Sequence, residues 1–226
     1  MIALVLNKKN ITVLLVVVLA TSALFALSTV STFTPNNPYT IAIDPGHGGI
    51  DGGSVGVSGK DENYLNLQYS LCLQEILTKA GFKVVMTRTN LNGLYPAFSE
   101  NKKIDDMKKR KEIITKAKAD MVLSIHMNSF PLKSARGAQV FYKKDNIPGQ
   151  KLAENIQDVF LKVLPNAKQS PLVGDYYMLN EFQIPSVIIE CGYISNKEEE
   201  ELLLQEEYKK LVCYSVFAGV VKFMSL

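Results

Sequence analysis

Apolar and polar positions divide the chain into two unequal parts. Residues 11–30 form an uncharged, almost wholly apolar run. From Tyr39 onward, short apolar runs alternate with longer stretches in which apolar residues recur every three or four positions. The short runs predict buried β-strands, and the longer stretches predict helices with one apolar face. Residues 31–38 contain two prolines and several small polar residues, and they predict a linker.

The second part predicts an alternating series of strands and helices. Strands are predicted at residues 39–44, 83–88, 119–125, 137–143 and 184–190, with a short one at 176–179. Helices are predicted at residues 61–80, 104–118, 150–164 and 196–224. This alternation is typical of a single α/β domain with a mostly parallel, twisted sheet of about six strands and helices on both faces. The last helix begins with four glutamates, which suit a helix N-terminus and are expected to be solvated.

The apolar run at residues 11–30 predicts a membrane segment. Twenty helical residues span roughly 30 Å, about the hydrocarbon thickness of a bilayer. Lys8 and Lys9 precede the run and no other charge occurs before Asp44, so the chain after the run is expected to face outward. The run is long for a cleaved signal, although residues 26–28 offer a small-residue cleavage site. Whether anchor or signal, it places the domain on the outer face of the cytoplasmic membrane or beyond it.

Composition and charge exclude several classes of protein. Hydrophobic residues make up 47% of the chain and charged residues 21%, which is typical of a globular protein and not of a disordered one. Apart from Lys8 and Lys9 the chain is close to neutral and has no basic block, so no nucleic-acid partner is expected. Cys72, Cys191 and Cys213 form no C-x-x-C pair and predict neither a disulfide framework nor a cysteine metal site. Cys72 and Cys213 fall on apolar helix faces and are expected to be packing residues.

The only two histidines of the chain each follow a predicted strand directly. His47 lies in the segment DPGHGG, and His126 follows the strand at residues 119–125. In open α/β sheets, ligands bind outside the carboxyl ends of the strands, so both imidazoles are expected at one edge, where they can share a metal ion. A single histidine at a strand end more often has a structural role. The pair, with no histidine elsewhere, favours metal ligands.

Two glutamates can complete such a site. A catalytic zinc commonly takes two histidines and a glutamate and leaves one position for water. Glu62 lies fifteen residues after His47, at the start of a predicted helix, and the glycine-rich loop at residues 48–61 is flexible enough to fold it back over His47. Its alternative role is to interact with the helix dipole alone. Glu190 ends the last predicted strand, where it is either a general base beside the metal or a carboxylate satisfied by backbone N–H groups.

Two other interpretations fit the residues less well. The glycine-rich loop lacks both the G-K-[ST] ending of a phosphate-binding loop and the G-x-G-x-x-G fingerprint. A cysteine hydrolase that pairs Cys191 with His126 would leave His47 and Glu190 without a role.

Four segments, in order, resemble the sequence blocks of a known family: DPGHGG, KDENYLNL, SIHMNS and IPSVIIECGYISN. They are similar to those of the zinc-dependent N-acetylmuramoyl-L-alanine amidases of the third amidase type, from about Tyr39 to the C-terminus. The resemblance implies a zinc amidase domain at residues 39–226, behind an anchor or signal at 1–30 and the linker at 31–38. It implies cleavage of the amide between the lactyl group of N-acetylmuramic acid and the L-alanine of the peptidoglycan stem peptide.

The resemblance also implies roles for individual residues. One Zn²⁺ would be held by His47, Glu62 and His126, and Glu190 would be the catalytic acid and base. Asn128, two residues after His126, is expected from its position alone to contact the substrate or to support a ligand.

Within the family, the chain is most similar to sporulation-associated members that trim cortex peptidoglycan for germination. A catalytic domain is expected behind one hydrophobic segment, without an added wall-binding domain, and the sequence contains no long insertion before His126. The helix at 104–118 lacks the Ala-Asn pair often present in relatives. These features lead us to expect a location in the forespore intermembrane space and an accessory activator protein as a partner. A zinc peptidase that cuts within the stem peptide and a non-catalytic peptidoglycan-binding module remain as alternatives.

Overall fold

A six-stranded sheet with helices on both faces forms the described part of the chain. The structure is a computed structural model, and it describes residues 38–225. The strands are β1 (Thr40–Pro45), β2 (Lys83–Met86), β3 (Met121–Asn128), β4 (Gln139–Tyr142), β5 (Leu172–Val173) and β6 (Ser186–Tyr193). The helices are α1 (Glu62–Lys79), α2 (Lys102–Lys116), α3 (Ile147–Val163), α4 (Tyr177–Asn180), α5 (Lys197–Leu203) and α6 (Glu206–Met224).

The strands lie in the order β2-β1-β3-β6-β4-β5. Strands β2, β1, β3 and β6 are parallel to one another, whereas β4 is antiparallel to β6 and parallel to β5. The register pairs His126 of β3 with Glu190 of β6. The prediction of a mostly parallel α/β domain is confirmed, and two of the predicted site residues are neighbours across the sheet.

The larger hydrophobic core lies on one face of the sheet, where α1, α3 and α6 pack. Leu65, Tyr69, Leu73 and Leu77 of α1 are all buried there, at the spacing of one helix face. Full burial of one such side chain contributes roughly 1.5–3 kcal/mol. Strands and helices contribute further buried residues: Ile41, Ile43, Leu123, Ile125, Val187, Ile189, Leu152, Ile156, Phe160, Val212, Val216 and Val220. Cys213 belongs to this core and Cys72 packs against it, as predicted.

The opposite face carries a smaller core that includes Ile114 of α2 and Met178 of α4. Ala42 of β1 and Val122 of β3 contribute to this core. Because side chains alternate across a strand, every second residue after them lies on the same face, and nearer the carboxyl ends of the strands these residues are polar. The polar residues on this face include Asp44, Ser124, His126 and Glu190. The candidate chemistry therefore lies on the more thinly covered face of the sheet.

Two predicted elements were wrong. Residues 176–179 were expected to form a strand, but Tyr177–Asn180 is the short helix α4, and the sixth strand is the two-residue β5. The helix predicted at 196–224 is divided into α5 and α6 at Leu204 and Gln205, because Gln205 has an extended backbone with ψ of 135°. The Tyr69 hydroxyl donates a 3.0 Å hydrogen bond to the Leu203 carbonyl, which a continuous helix would have used internally.

The glutamate run at the start of α5 is not fully solvated, in contrast to the prediction. Glu199 and Glu200 are buried. Glu199 accepts hydrogen bonds from the backbone N–H groups of Gly137 and Tyr193. Glu200 accepts hydrogen bonds from the N–H and the hydroxyl of Ser58, at 2.8 and 2.7 Å. These donors offset the cost of burying a carboxylate, and they tie the glycine-rich loop to α5.

The predicted membrane segment at residues 11–30 and the linker up to residue 37 lie outside the described residues. Between residues 38 and 225, no helix has both the length and the apolar composition that a bilayer crossing requires. The choice between an anchor and a signal stays a prediction.

A close helix crossing provides a test of the larger core. A Cβ atom added to Gly219 of α6 would lie 2.6 Å from the Ile156 Cα of α3. Gly219→Val is expected to push the helices apart and to lower the free energy of unfolding by roughly 1–3 kcal/mol, measured as a lower Tm. Ala218→Val is the matched control, because Ala218 is exposed on the same helix and should tolerate the larger side chain. Equal Tm values for the two variants would contradict the close crossing.

Candidate metal centre

Three side chains that are remote in sequence meet at the carboxyl edge of the sheet. His47 follows β1, Glu62 is the first residue of α1, and His126 lies in β3. Their potential ligand atoms all lie within 4.8 Å of one another. Glu62 Oε1 is 3.2 Å from His47 Nε2 and 3.0 Å from His126 Nδ1. The structure therefore brings together the three residues predicted as metal ligands.

His47 reaches the centre from a left-handed turn, with φ of +60°. Its Nδ1 lies 3.0 Å from Asp51 Oδ1, so Nε2 is the nitrogen that faces Glu62. A carboxylate on the remote nitrogen fixes the orientation of the ring, as it does for most metal-binding histidines. Asp51 was not among the residues predicted from the sequence. The available signal was an acidic residue four positions after His47 in the glycine-rich loop.

Glycines allow the ligands to approach one another closely. A Cβ atom on Gly46 would lie 2.2 Å from the His126 ring. Gly53 has φ of +73°, and a Cβ there would lie 2.6 Å from Glu62 Oε2 and 2.8 Å from His47 Cδ2. No side chain fits at either position, which gives a packing reason for glycine beside each histidine.

Hydrogen bonds hold the Glu62 carboxylate in place. Oε1 accepts hydrogen bonds from Asn66 Nδ2 at 3.1 Å and from the Met127 N–H at 3.3 Å, and Oε2 accepts one from the Ser54 N–H at 3.0 Å. Asn66 Nδ2 also donates to the Gly46 carbonyl. Glu62 is thus fixed as an acceptor by neighbours on three different segments.

The histidines keep Glu62 ionised. Burial raises the pKa of Glu62, but hydrogen bonds from His126 and His47 outweigh burial and hold the pKa well below its ordinary value. Burial lowers the pKa of His47, but the hydrogen bonds and charges of Glu62 and Asp51 raise it above its ordinary value of 6.5. The centre therefore favours positive charge next to Glu62.

This donor set fits a divalent transition ion. Two imidazole nitrogens and one carboxylate oxygen are a common protein ligand set for catalytic zinc, which keeps one position open. The alternative of a cysteine nucleophile does not fit. Burial and the nearby charge of Glu190 raise the pKa of the Cys191 thiol well above its ordinary value, and the thiol donates to the Ile189 carbonyl at 3.8 Å.

Glu190 lies beside His126 on the neighbouring strand and is buried, with 9% of its surface exposed. Its Oε2 has no hydrogen-bond partner among residues 38–225. Burial raises the pKa of Glu190 to about 7, more than the charge of His126 lowers it. The predicted alternative, a carboxylate satisfied by backbone N–H groups, does not match this unpaired oxygen.

A cavity opens beside the two histidines and Glu190. Its other wall is largely apolar and aromatic, formed by Tyr95, Met107, Tyr176, Tyr177, Met178 and Ile188. Tyr176 and Tyr177 were missed, because their segment was predicted as a strand. Asn128 is not among the lining residues, and its backbone carbonyl accepts a 2.9 Å hydrogen bond from the Ile194 N–H. The expected role of Asn128, in contacting the substrate or supporting a ligand, stays a prediction.

Comparison with known proteins identifies the family. Residues 41–222 match the Amidase_3 family, described as N-acetylmuramoyl-L-alanine amidase. The chain belongs to this family. It is an amidase that acts on peptidoglycan, as the four sequence blocks implied, and not a binding module.

Individual relatives agree with the family match. The chain is 32% identical over 196 residues to a germination-specific N-acetylmuramoyl-L-alanine amidase of Bacillus subtilis (strain 168). The alignment covers 84% of this chain and 82% of the relative. The solved structure of the CwlD amidase from Clostridioides difficile, in complex with the GerS lipoprotein, is 35% identical with a TM-score of 0.79. That alignment covers 83% of this amidase and 98% of CwlD.

A catalytic domain from another amidase has the same fold. CwlV, an N-acetylmuramoyl-L-alanine amidase from Bacillus (Paenibacillus) polymyxa var. colistinus, is 26% identical with a TM-score of 0.73. The alignment covers 83% of this amidase and 98% of the CwlV catalytic domain.

Ionisation of Glu190 should make the metal-free amidase less stable as the pH rises. The folded protein holds this proton more tightly than the unfolded chain does, because the pKa rises from 4.5 to about 7. The stabilisation is therefore complete below pH 4.5 and is lost as the pH rises to about 7, a change of about 3 kcal/mol. With a chelator present, Glu190→Gln should be more stable than the wild type at pH 8, and this advantage should shrink toward pH 4.5, as measured by urea unfolding.

The matched control is Glu198→Gln, since Glu198 is an exposed carboxylate. It should not show the gain in unfolding free energy at pH 8 that is expected for Glu190→Gln. A constant difference for Glu190→Gln between pH 4.5 and 8 would contradict the raised pKa.

Proposed function

We propose that this amidase is zinc-dependent and hydrolyses the bond between the lactyl group of N-acetylmuramic acid and L-alanine in spore cortex peptidoglycan. The observation that carries the proposal is the convergence of His47, Glu62 and His126 beside the unpaired carboxyl of Glu190. Three ligands and one proton acceptor are the set that metal-assisted amide hydrolysis requires.

The three ligands would hold the ion through defined atoms. Asp51 occupies Nδ1 of His47 and leaves Nε2 for the ion, whereas His126 presents Nδ1 toward Glu62. Glu62 is ionised and directed toward both rings, so its charge offsets part of that of a dication. When bound, zinc supplies Lewis acidity, which lowers the pKa of a water from 15.7 toward about 7 and polarises a carbonyl.

Glu190 moves the proton in this proposal. A pKa of about 7 suits a group that accepts a proton and returns it at neutral pH. As a carboxylate, Glu190 accepts a proton from the attacking water. As a carboxylic acid, it donates that proton to the departing nitrogen of L-alanine. The carboxyl thus ends in its starting state, and its burial limits proton exchange with bulk water.

Two observations support a role in the spore. The Bacillus subtilis relative is a germination-specific amidase, which supports cortex peptidoglycan as the substrate. The apolar run at residues 11–30, with Lys8 and Lys9 before it, supports a domain outside the cytoplasmic membrane. In a spore former, that location would be the forespore intermembrane space.

The CwlD structure also supports an accessory partner. CwlD was solved in complex with the GerS lipoprotein, and it resembles this amidase at a TM-score of 0.79. We therefore include a lipoprotein partner in the proposal.

Substitutions should separate metal binding from turnover. Glu190→Gln should retain one zinc per chain and lose turnover by roughly 100-fold or more, because it removes the proton acceptor and no ligand. His126→Ala should lose both zinc and turnover. Zinc is measured by elemental analysis, and products by mass spectrometry of digested peptidoglycan, in which released peptides begin with a free L-alanine amine.

The exposed-site variant Glu198→Gln should keep both properties. Wild-type turnover in Glu190→Gln would remove the assigned role of Glu190, and full zinc content in His126→Ala would place the metal elsewhere. Peptides that lack the N-terminal L-alanine would indicate cleavage within the stem.

Substrate preference tests the finer assignment. Purified cortex should be digested faster than vegetative wall at equal enzyme and equal muramic acid content, measured as the rate of amine release. Inactivated enzyme gives the background rate on each wall. Equal rates on the two substrates would remove the cortex assignment and leave the amidase activity standing.

A further inference from the structure

We propose that two buried arginines, Arg88 and Arg110, are positioning residues that hold His47 in its metal-binding conformation. The inference rests on the proposed metal site. It concerns the backbone behind that site, where neither guanidinium serves as a metal ligand.

The turn that carries His47 has an unfavourable backbone conformation. His47 has φ of +60°, a region that side chains with a Cβ rarely adopt. Gly48 and Gly49 follow it with φ of +139° and +63°. A strained turn persists only where its surroundings impose it, so contacts around residues 45–47 should account for the conformation.

The two guanidinium groups donate hydrogen bonds to the carbonyl groups of this turn. Arg88 donates from Nε to the carbonyls of Pro45 and His47, at 3.0 and 2.7 Å, and from Nη2 to that of Gly46 at 2.7 Å. Arg110 donates from Nη1 to the Pro45 carbonyl at 2.6 Å and from Nη2 to the His47 carbonyl. All three consecutive carbonyls are therefore fixed by arginine, and two of them by both arginines.

Buried carboxylates hold Arg110 in place. Asp44 Oδ1 accepts from Arg110 Nη1 at 2.7 Å, and Asp106 Oδ2 accepts from Arg110 Nε at 2.5 Å. Asp44 also accepts hydrogen bonds from the hydroxyls of Thr87 and Ser124, at 2.6 and 2.8 Å. The orientation of Arg110 thus depends on strands β1 and β3 and on the residue after β2.

Arg88 links the turn to a second ligand. Its Nη2 also donates to the Asn63 carbonyl at 3.0 Å, one residue after Glu62, and its Nη1 donates to the Asn90 carbonyl at 2.9 Å. One guanidinium thus connects the backbone at His47 to the backbone beside Glu62. A lysine ammonium is a single point donor group and cannot span these acceptors, so Arg88→Lys preserves the charge and breaks the connection.

Zinc affinity, compared with stability, tests the proposal. Arg88→Lys and Arg110→Lys should weaken zinc binding by roughly 10–100-fold, the range typical when a residue that supports a metal ligand is replaced. Affinity is measured by competition with a chromophoric chelator, and the Tm of the metal-free protein is measured in parallel. A purely structural role would lower Tm and leave the affinity of the folded protein unchanged.

Gln157→Leu is the matched control. Gln157 is a buried residue of α3 that bonds the Val140 N–H and the carbonyls of Ala138 and Lys168, on the opposite face of the sheet. The Gln157→Leu substitution should lower Tm and keep zinc affinity within about twofold of the wild type, since Gln157 does not contact the backbone of any proposed metal ligand. If zinc affinity fell in proportion to Tm in every variant, including Gln157→Leu, the proposal would be overturned.

A milder variant covers the case in which the lysine variants do not fold. Thr87→Val removes one hydrogen bond to Asp44 and should weaken zinc binding severalfold in a folded protein. Unchanged affinity in Arg88→Lys, or in Thr87→Val if the lysine variants are unfolded, would overturn the positioning role alone. A wild type that does not bind zinc would overturn the proposed metal site and this inference together.

Discussion

Parallel pairing of β1, β3 and β6 is the constraint on which the candidate metal centre depends. It brings the carboxyl ends of three strands to one edge, where His47 follows β1 and where His126 and Glu190 lie in the last residues of β3 and the second half of β6. The register places His126 directly beside Glu190, so a potential ligand and a potential proton acceptor are neighbours without any loop between them. A shift of one residue would turn Glu190 into the large core on the opposite face. Glu62 comes from the start of α1 and His47 from the turn after β1, both outside the sheet.

The two glutamates of the centre have opposite environments, and this separates their chemistry. Glu62 accepts hydrogen bonds from Asn66, Met127 and Ser54, and it faces both imidazoles, so its charged form is favoured. Glu190 is buried with an unpaired Oε2, so its charged form is disfavoured. Different surroundings set different protonation states, which is how one site can contain a permanent anion and an exchangeable proton.

The residues of the centre were predictable where strand position and residue type coincide. His47 follows β1, His126 and Glu190 lie near the carboxyl ends of β3 and β6, and Glu62 begins α1 after a glycine-rich loop. These positions made them candidates, and the resemblance to the family implied their roles. Arg88 and Arg110 were not predictable, because their acceptors lie on the turn at residues 45–47, remote in sequence. The break between α5 and α6 depends on the Tyr69 hydroxyl, and the burial of Glu199 and Glu200 depends on distant donors. Each of these features depends on hydrogen bonds between residues that are remote in sequence, and no periodic pattern of residues indicates such bonds.

The same non-local bonds argue that the proposed ion has a catalytic role and not a structural one. The His47 turn is fixed by two arginines, and the glycine-rich loop is fixed to α5 through Glu200 and Ser58. The main core lies on the other face of the sheet and includes no ligand. In small metal-dependent domains, by contrast, the ion supplies the folding energy because no such core exists. Here the ligands already converge through Glu62, which accepts from both imidazoles, so ion binding would replace two hydrogen bonds within a preformed centre.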